Sequence, residues 1–176
     1  MVVAYVSIGS NIGPRRNVRR ALRLLAAREM LEAVSTVYRT VAIGDANAPR
    51  FLNCVVRLRT DRPPLELKRD VLRKIETELG RRRGRDKYAP RTIDLDLILY
   101  DDLVVKRAGL HLPDPDILDR PFLLLCLREL DPGLTLPGSG LSVAEAAARS
   151  SRDGIEAVKE FARSLRKEIA GGRNVG

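Results

Sequence analysis

Two aspartates two residues apart, Asp94 and Asp96, stand in the run Arg91-Thr92-Ile93-Asp94-Leu95-Asp96-Leu97-Ile98-Leu99-Tyr100. At the strand period of two, Ile93, Leu95, Leu97 and Leu99 share one face, and Thr92, Asp94, Asp96, Ile98 and Tyr100 share the other. Residues i and i+2 on a strand lie roughly 6.5 to 7 Å apart, so the two carboxylates can converge on divalent cations. Left alone they repel, and aspartate is depleted in strands. The bland alternative is the solvated face of an edge strand.

A concentrated positive charge precedes the pair. Between Lys68 and Arg91 there are ten lysines or arginines against Asp70, Glu76, Glu78 and Asp86, which accounts for most of the chain's net charge of +9. Basic residues beside a carboxylate pair suit a polyanion whose charge is shared between metal and guanidinium groups, and a nucleoside triphosphate fits that description. A solvated basic face or a nucleic-acid surface is the competing reading. The chain has no G-x-x-x-x-G-K-S/T loop, so a Walker-type site is not expected. Its single histidine, His111, excludes any site that needs several imidazoles. Cys54 and Cys126 both lie in apolar segments and read as buried free thiols.

The elements that must position these groups follow from periodicity. Val2 to Ile8 is a strand, ended by Gly9-Ser10-Asn11-Ile12-Gly13. Pro14 opens a helix whose Val18, Ala21, Leu22 and Leu25 face inward beneath solvated arginines. Ala33 to Thr40 and Phe51 to Thr60 read as strands. Pro63-Pro64 begins a second helix with the stripe Leu67, Val71, Leu72, Ile75 and Leu79, stopped by Gly80, with Arg73 and Glu76 on its other side. A basic loop from Arg81 to Pro90 leads into the Asp94/Asp96 strand. The order is βαββαβ, so the expected class is α+β: a ferredoxin-like antiparallel sheet with helices on one face.

Beyond it, Val104-Val105 and Leu110 to Leu112 form a short strand pair, Phe122 to Leu130 a helix, and Ser142-Val143-Ala144-Glu145 a capping box. From about Asp153 to Ala170, Ile155, Val158, Phe161, Leu165 and Ile169 form one apolar seam. Docking on the domain's own surface is the expected use, with self-association through 155–169 as the alternative. We therefore expect one domain, residues 1–150, and a C-terminal amphipathic helix and tail, 151–176. At 44% hydrophobic and 31% charged, the composition is globular. Its longest apolar runs, Met1 to Val6 and Phe122 to Leu127, fall far short of a membrane span, so a monomeric cytoplasmic protein is expected.

Taken together, Ser7-Ile8-Gly9-Ser10-Asn11, Tyr38-Arg39-Thr40, Phe51-Leu52-Asn53, Glu76 to Gly80 and, above all, Pro90-Arg91-Thr92-Ile93-Asp94-Leu95-Asp96 resemble the 6-hydroxymethyl-7,8-dihydropterin pyrophosphokinase family of folate biosynthesis, over about residues 2 to 148. The resemblance implies transfer of the terminal pyrophosphate of ATP to the pterin's hydroxymethyl oxygen, with AMP released. It implies two Mg2+ ions held by Asp94 and Asp96, with Arg81 and Arg91 beside them as catalytic groups. It places Arg73, Glu76, Arg83, Lys87, Tyr88 and Arg120 around ATP, and Gly9, Thr40, Val41, Ile43, Phe51, Asn53 and Phe122 around the pterin, with the two phenylalanines sandwiching its ring. The partners implied are small molecules, without membrane or specific nucleic acid. Three departures stand out: Val41-Ala42 where the family carries a proline, Asp114 after Leu112-Pro113 where it often has histidine, and the C-terminal seam. An acceptor differing from the usual pterin, or an RNA-binding ferredoxin-like module, is the rival reading.

Overall fold

The computed structural model describes residues 1–42, 48–82 and 90–172. A single sheet runs in the order β5 (Asp94–Tyr100), β1 (Val2–Ser10), β4 (Phe51–Thr60), β3 (Tyr38–Thr40), β8 (Glu156–Ala157), and β2 (Met30–Val34) also pairs with β4. Every pairing in it is antiparallel. The fold is α+β. β1 and β4 are the two long inner strands, and their near-continuous apolar runs, Val2 to Val6 and Cys54 to Val56, reflect burial on both faces.

One face is dry. Ala4, Val6 and Ile8 of β1, Cys54, Val56 and Leu58 of β4 and Leu95 and Leu97 of β5 pack under α1 (Pro14–Ala26) and the rod of residues 64–78. That rod consists of α2 (Pro64–Glu66), a π-helical stretch (Leu67–Leu72) and α3 (Arg73–Glu78). Its predicted stripe is buried, but Glu76 is buried as well, at 3% exposure, rather than riding the outer side. The wider π turn delays the inward face, which brings Glu76 round toward β5.

The other face is half covered. α4 (Asp116–Asp119), α5 (Pro121–Leu130) and α6 (Val143–Arg149) form a second core with Tyr5, Val55, Ile98 and Leu99. Helices therefore lie on both faces, not one: those between the strands take the dry face, and α4, α5 and α6, which follow β5, take the other. Strict alternation along β5 fails at one point. The β1–β5 register slips between Tyr5 and Val6, so Ile98 and Leu99 both reach the second core while Tyr100 returns to the first. A bulge of this kind re-aims the side chains on either side of it.

The predicted strand 33–40 is broken in two. Ser35 supplies the reason: its N–H donates to Val55 O, and its hydroxyl accepts from Val55 N, both at 3.0 Å, so a side chain replaces part of the ladder. Thr36 N then donates to Glu129 at 2.8 Å. The helical seam is also shorter than expected, because α7 begins only at Lys159 (Lys159–Gly172). Phe161 and Leu165 are buried in the first core with Val158 and Ile169 against it, whereas Ile155 joins the second. The segment after residue 150 thus extends the sheet and seals its dry face. Two arginines of α1 expected in solvent serve that contact: Arg15 and Arg19 stack over the Phe161 ring at 5.0 and 5.5 Å, and Arg19 pairs with Glu168 at 2.7 Å. β6 (Val105–Arg107) and β7 (Leu110–Leu112) form a separate hairpin.

Both cysteines are free and buried, and burial pushes both thiols up, Cys126 to about 12. Among the described residues, no helix is long and apolar enough to cross a membrane.

Candidate active site

Where α5 and α6 leave the second face bare, the ends of β1, β4 and β5 form the floor of a cleft of about 680 Å³. The antiparallel register builds that floor in rows. Gly9 pairs with Asn53 on one side and Asp94 on the other, and Ser7 pairs with Val55 and Asp96. Asn53 and Asp94 thus stand two strand spacings apart, roughly 10 Å, with a residue lacking a side chain between them. A Cβ on Gly9 would meet Asn53 Oδ1 at 2.7 Å, so glycine leaves the floor open and lets the amide lie across it.

The loop before β5 is held by the turn after β1. Ser10 Oγ donates to Thr92 O at 2.6 Å, Arg91 N donates to Asn11 Oδ1 at 2.6 Å, and the amides of Asn11 and Ile12 both donate to Arg91 O at 3.1 Å. Asn11 Nδ2 also reaches Pro49 O at 3.2 Å. Two motifs far apart in sequence therefore read each other, and Arg91 is aimed before any ligand arrives.

At the β5 edge the charges are mutually engaged. Arg81 donates to one Asp94 oxygen and to Glu76, and Arg91 donates to the other Asp94 oxygen. Glu76 also accepts Leu95 N at 2.9 Å. Burial works against the Arg81 charge, but Asp94 and then Glu76 more than offset it and leave the guanidinium pKa raised. Glu76 does not line the cleft; it anchors Arg81 and β5 from beneath. Arg73 is exposed on α3 and does not line the cleft either.

Asp96 is in the opposite situation. It is accessible along the cleft yet ringed by a dense shell of protein, and among the described residues no hydrogen bond or ion pair reaches its carboxylate. Burial first, then Asp94, Glu76 and Asp114, pushes its pKa up to about 7 against the opposing pull of Arg81. Asp114 is tied to the floor by its own N–H, which donates to Ile98 O at 2.9 Å, and burial followed by Asp116 outweighs the Asp116 N–H bond to raise its carboxyl too. Asp116 and Asp119 continue this acidic end, where Arg120 pairs with Asp116 at 2.8 Å.

The far wall is neutral. Thr40, Val41, half-buried Phe51, Asn53 and buried Phe122 all line it, and Asn53 Nδ2 donates to Thr40 Oγ1 at 2.8 Å. Ile43, Arg83, Lys87 and Tyr88 lie outside the described residues. The remaining cleft wall comes from Ser151, Asp153, Gly154 and Ile155, which sequence reasoning missed. They are ordinary turn residues, and only pairing of β8 with β3 carries them here.

The donor set suits hard cations. Asp94 and Asp96 offer carboxylate oxygens, and Mg2+ is commonly held by one or two carboxylates with phosphates and waters completing the shell. Among the described residues no three such ligands converge, so a cation here would draw its other ligands from elsewhere.

Fold and site together define a class: an α+β protein whose sheet presents carboxylates, guanidinium groups and a flat neutral pocket in one cleft. The family model described as 7,8-dihydro-6-hydroxymethylpterin-pyrophosphokinase (HPPK) matches residues 5–132. The 2-amino-4-hydroxy-6-hydroxymethyldihydropteridine pyrophosphokinase of Pseudomonas aeruginosa is 39% identical over 157 residues, covering 86% of this chain and 94% of its own. That of Methylorubrum extorquens is 37% identical over 162 residues, covering 90% and 100%. Among solved structures, wild-type Plasmodium falciparum HPPK-DHPS superposes with a TM-score of 0.68 at 14% identity, over 84% of this chain and 44% of that longer one. This chain belongs to the HPPK family.

Proposed function

We propose that the protein transfers a pyrophosphoryl group from ATP to the hydroxymethyl oxygen of 6-hydroxymethyl-7,8-dihydropterin. The substrate oxygen bonds to the β-phosphorus, the bond from that phosphorus to the α–β bridging oxygen breaks, and AMP leaves with the bridging oxygen. The hydroxyl proton passes to solvent. One observation carries the reading: in a member of this family, Asp94 and Asp96 share a cleft floor with Gly9 and Asn53, so a triphosphate site and a flat heterocycle site adjoin.

Two Mg2+ ions bound by Asp94 and Asp96 would neutralise the triphosphate and orient it for in-line displacement. The chain's own residues do the rest. Arg81 and Arg91 are engaged with Asp94, and an incoming polyphosphate competes for the same guanidinium protons, so they exchange carboxylate for phosphate as ATP enters. Glu76 keeps Arg81 tethered during that exchange and acts as a positioning residue rather than a nucleotide contact. Arg120 offers a further cation at the acidic end, and the family resemblance assigns Arg83, Lys87 and Tyr88, outside the described residues, to the nucleotide. Asn53 and Thr40 bond the polar edge of the pterin, Phe51 and Phe122 enclose its ring, and Val41 lines the wall beside them, with Ile43 assigned to the pterin by the family resemblance alone. Asp114 stands where the resemblance often puts histidine, and a carboxylate there repels phosphate where an imidazole would donate to it.

The finer fold class belongs to the same proposal. The order β5-β1-β4 followed by β2 and β3, with α1 and residues 64–78 crossing one face, corresponds to a ferredoxin-like βαββαβ unit over residues 1–150, extended by 151–176. The seam of α7 faces its own core, which favours a monomer, and a cytoplasmic location suits the substrates.

The experiment is incubation with Mg-ATP and hydroxymethyl-dihydropterin, with nucleotides and pterins separated by chromatography. Equal amounts of AMP and pterin diphosphate are expected. ADP, or AMP release indifferent to the pterin, would overturn the proposal.

A further inference from the structure

The match to the family model ends at residue 132, yet Ser151, Asp153, Gly154 and Ile155 line the cleft beside Thr40 and Val41. These residues are held there by specific bonds. β8 pairs with β3 through Tyr38 with Ala157 and Arg39 with Glu156, and Arg39 Nη1 meets Glu156 Oε2 at 2.8 Å. Val158 N donates to Val37 O at 2.7 Å. Ser151 Oγ donates to Asp153 Oδ2 at 2.7 Å and shapes the turn, and Gly154 completes it at φ +70°, a value that favours glycine. At that glycine a Cβ would lie 3.6 Å from Val41 Cγ2, so the turn rests against the wall of the cleft. Ile155 then anchors it in the second core.

Resting on the pyrophosphokinase reading, we infer that residues 151–157 are a strap that builds one wall of the acceptor subsite and positions Thr40, Val41 and, through Thr40, Asn53. β3 has only three residues and would be the free edge of the sheet without β8. A strand that short holds its register poorly alone, and a loss of register there moves the Thr40 hydroxyl off the Asn53 amide. The strap therefore sets the width of the acceptor end and its affinity for the flat heterocycle. It leaves the triphosphate end, across β1, to Asp94, Asp96 and the arginines. Arg39 and Glu156 are positioning residues in this account, since neither lines the cleft.

Arg39→Glu sets two carboxylates against each other across the β3–β8 pair. The acceptor KM is expected to rise about tenfold while the ATP KM stays within about twofold, and the thermal midpoint should move by no more than about 3 °C. The double variant Arg39→Glu/Glu156→Arg should restore the acceptor KM. In parallel, hydrogen exchange in the unaltered chain should slow over residues 153–158 when acceptor joins a complex with a non-hydrolysable ATP analogue, and not with the analogue alone. An unchanged acceptor KM, an equal rise in both KM values, failure of the charge swap to restore, or protection by the analogue alone would overturn the strap. If the unaltered chain forms no AMP from the acceptor, the proposed function falls, and the strap with it. Normal turnover with an indifferent strap removes this inference only.

Discussion

The two aspartates of β5 stand two residues apart in opposite electrostatic situations. Asp94 has both oxygens taken by Arg81 and Arg91, which are themselves braced by Glu76 and by the Asn11 turn. Asp96 faces an end of the cleft furnished with Asp114, Asp116, Asp119 and Arg120, and its carboxyl is pushed up to about 7. At one end the charge is satisfied by protein, and at the other it awaits a ligand. An uncompensated acid in a walled cleft costs stability, and such costs concentrate at functional sites. The comparison teaches that two residues with one proposed role differ in what they do for the fold.

Replacing either aspartate should give the largest effects and separate the two most sharply. Asp94→Asn and Asp96→Asn are each expected to lower kcat about a thousandfold or more in the AMP-release assay, through loss of a metal-binding charge. Stability should divide them. Asp94→Asn takes one carboxylate from both guanidinium groups, Arg81 keeping Glu76, and should lose about 2 kcal/mol in urea unfolding. Asp96→Asn should gain stability in metal-free buffer at pH 8. The sign follows from the raised pKa: the folded state holds the Asp96 proton more tightly than the unfolded chain does. That contribution is fully present below the ordinary carboxylate range near pH 4 and is lost as pH rises through about 7. The unaltered protein should thus lose thermal stability relative to Asp96→Asn between pH 5 and 8, and Mg2+ with ATP should reverse the loss. A parallel response of the two variants would dissolve the distinction.

Glu76→Gln tests whether the satisfied end depends on its buried anchor. Glutamine can still accept from Leu95 N but loses the charge that holds Arg81, so kcat should fall about thirtyfold with acceptor affinity unchanged. A rise in the ATP KM with kcat intact would instead restore Glu76 as a nucleotide-side contact.

Asp94 and Asp96 were legible because a strand with i, i+2 acids is costly without a partner, and Gly80 and Pro14 marked helix ends through backbone geometry alone. Glu76 was misplaced because its facing depends on a π turn, which hydrophobic spacing does not encode: the stripe Leu67, Val71, Leu72, Ile75 and Leu79 is the same with or without it. Leu99 was assigned to the wrong face because the bulge at Ile98 arises from pairing with β1, not from the β5 sequence. The helices Phe122 to Leu130 and from Ser142 were legible, but their place on the second face and the 151–157 wall were not, for a related reason. Both are made by contacts between segments that are not neighbours in the chain, such as α5 with β4 and Tyr38 with Ala157, and neither segment carries a local signal of its partner.

Gly9→Ala bears on the boundary between the charged and neutral parts of the cleft. The new methyl would meet Asn53 Oδ1 at 2.7 Å, and Thr40 restrains the amide from turning away. Acceptor binding measured by calorimetry should weaken about tenfold, with nucleotide binding nearly unchanged. Equal weakening of both ligands would mean that the methyl distorts the Asp94 side of the row as well.

The smallest expected effect tests the unsatisfied end at Arg120, which lines the cleft beside Asp116 and Asp119. Arg120 and Asp116 are both well exposed, so Arg120→Ala should change unfolding free energy by less than about 1 kcal/mol. Its electrostatic effect is directional. Removing the guanidinium takes the ion-pair partner from Asp116 and leaves Lys68 to act on Asp114, a more negative balance that favours a cation and disfavours a polyphosphate. The ATP KM at saturating Mg2+ should rise about threefold, while the Mg2+ concentration needed for half-maximal rate should fall. If both constants rise together, Arg120 supports the local structure of α4 rather than balancing the charge of the cleft.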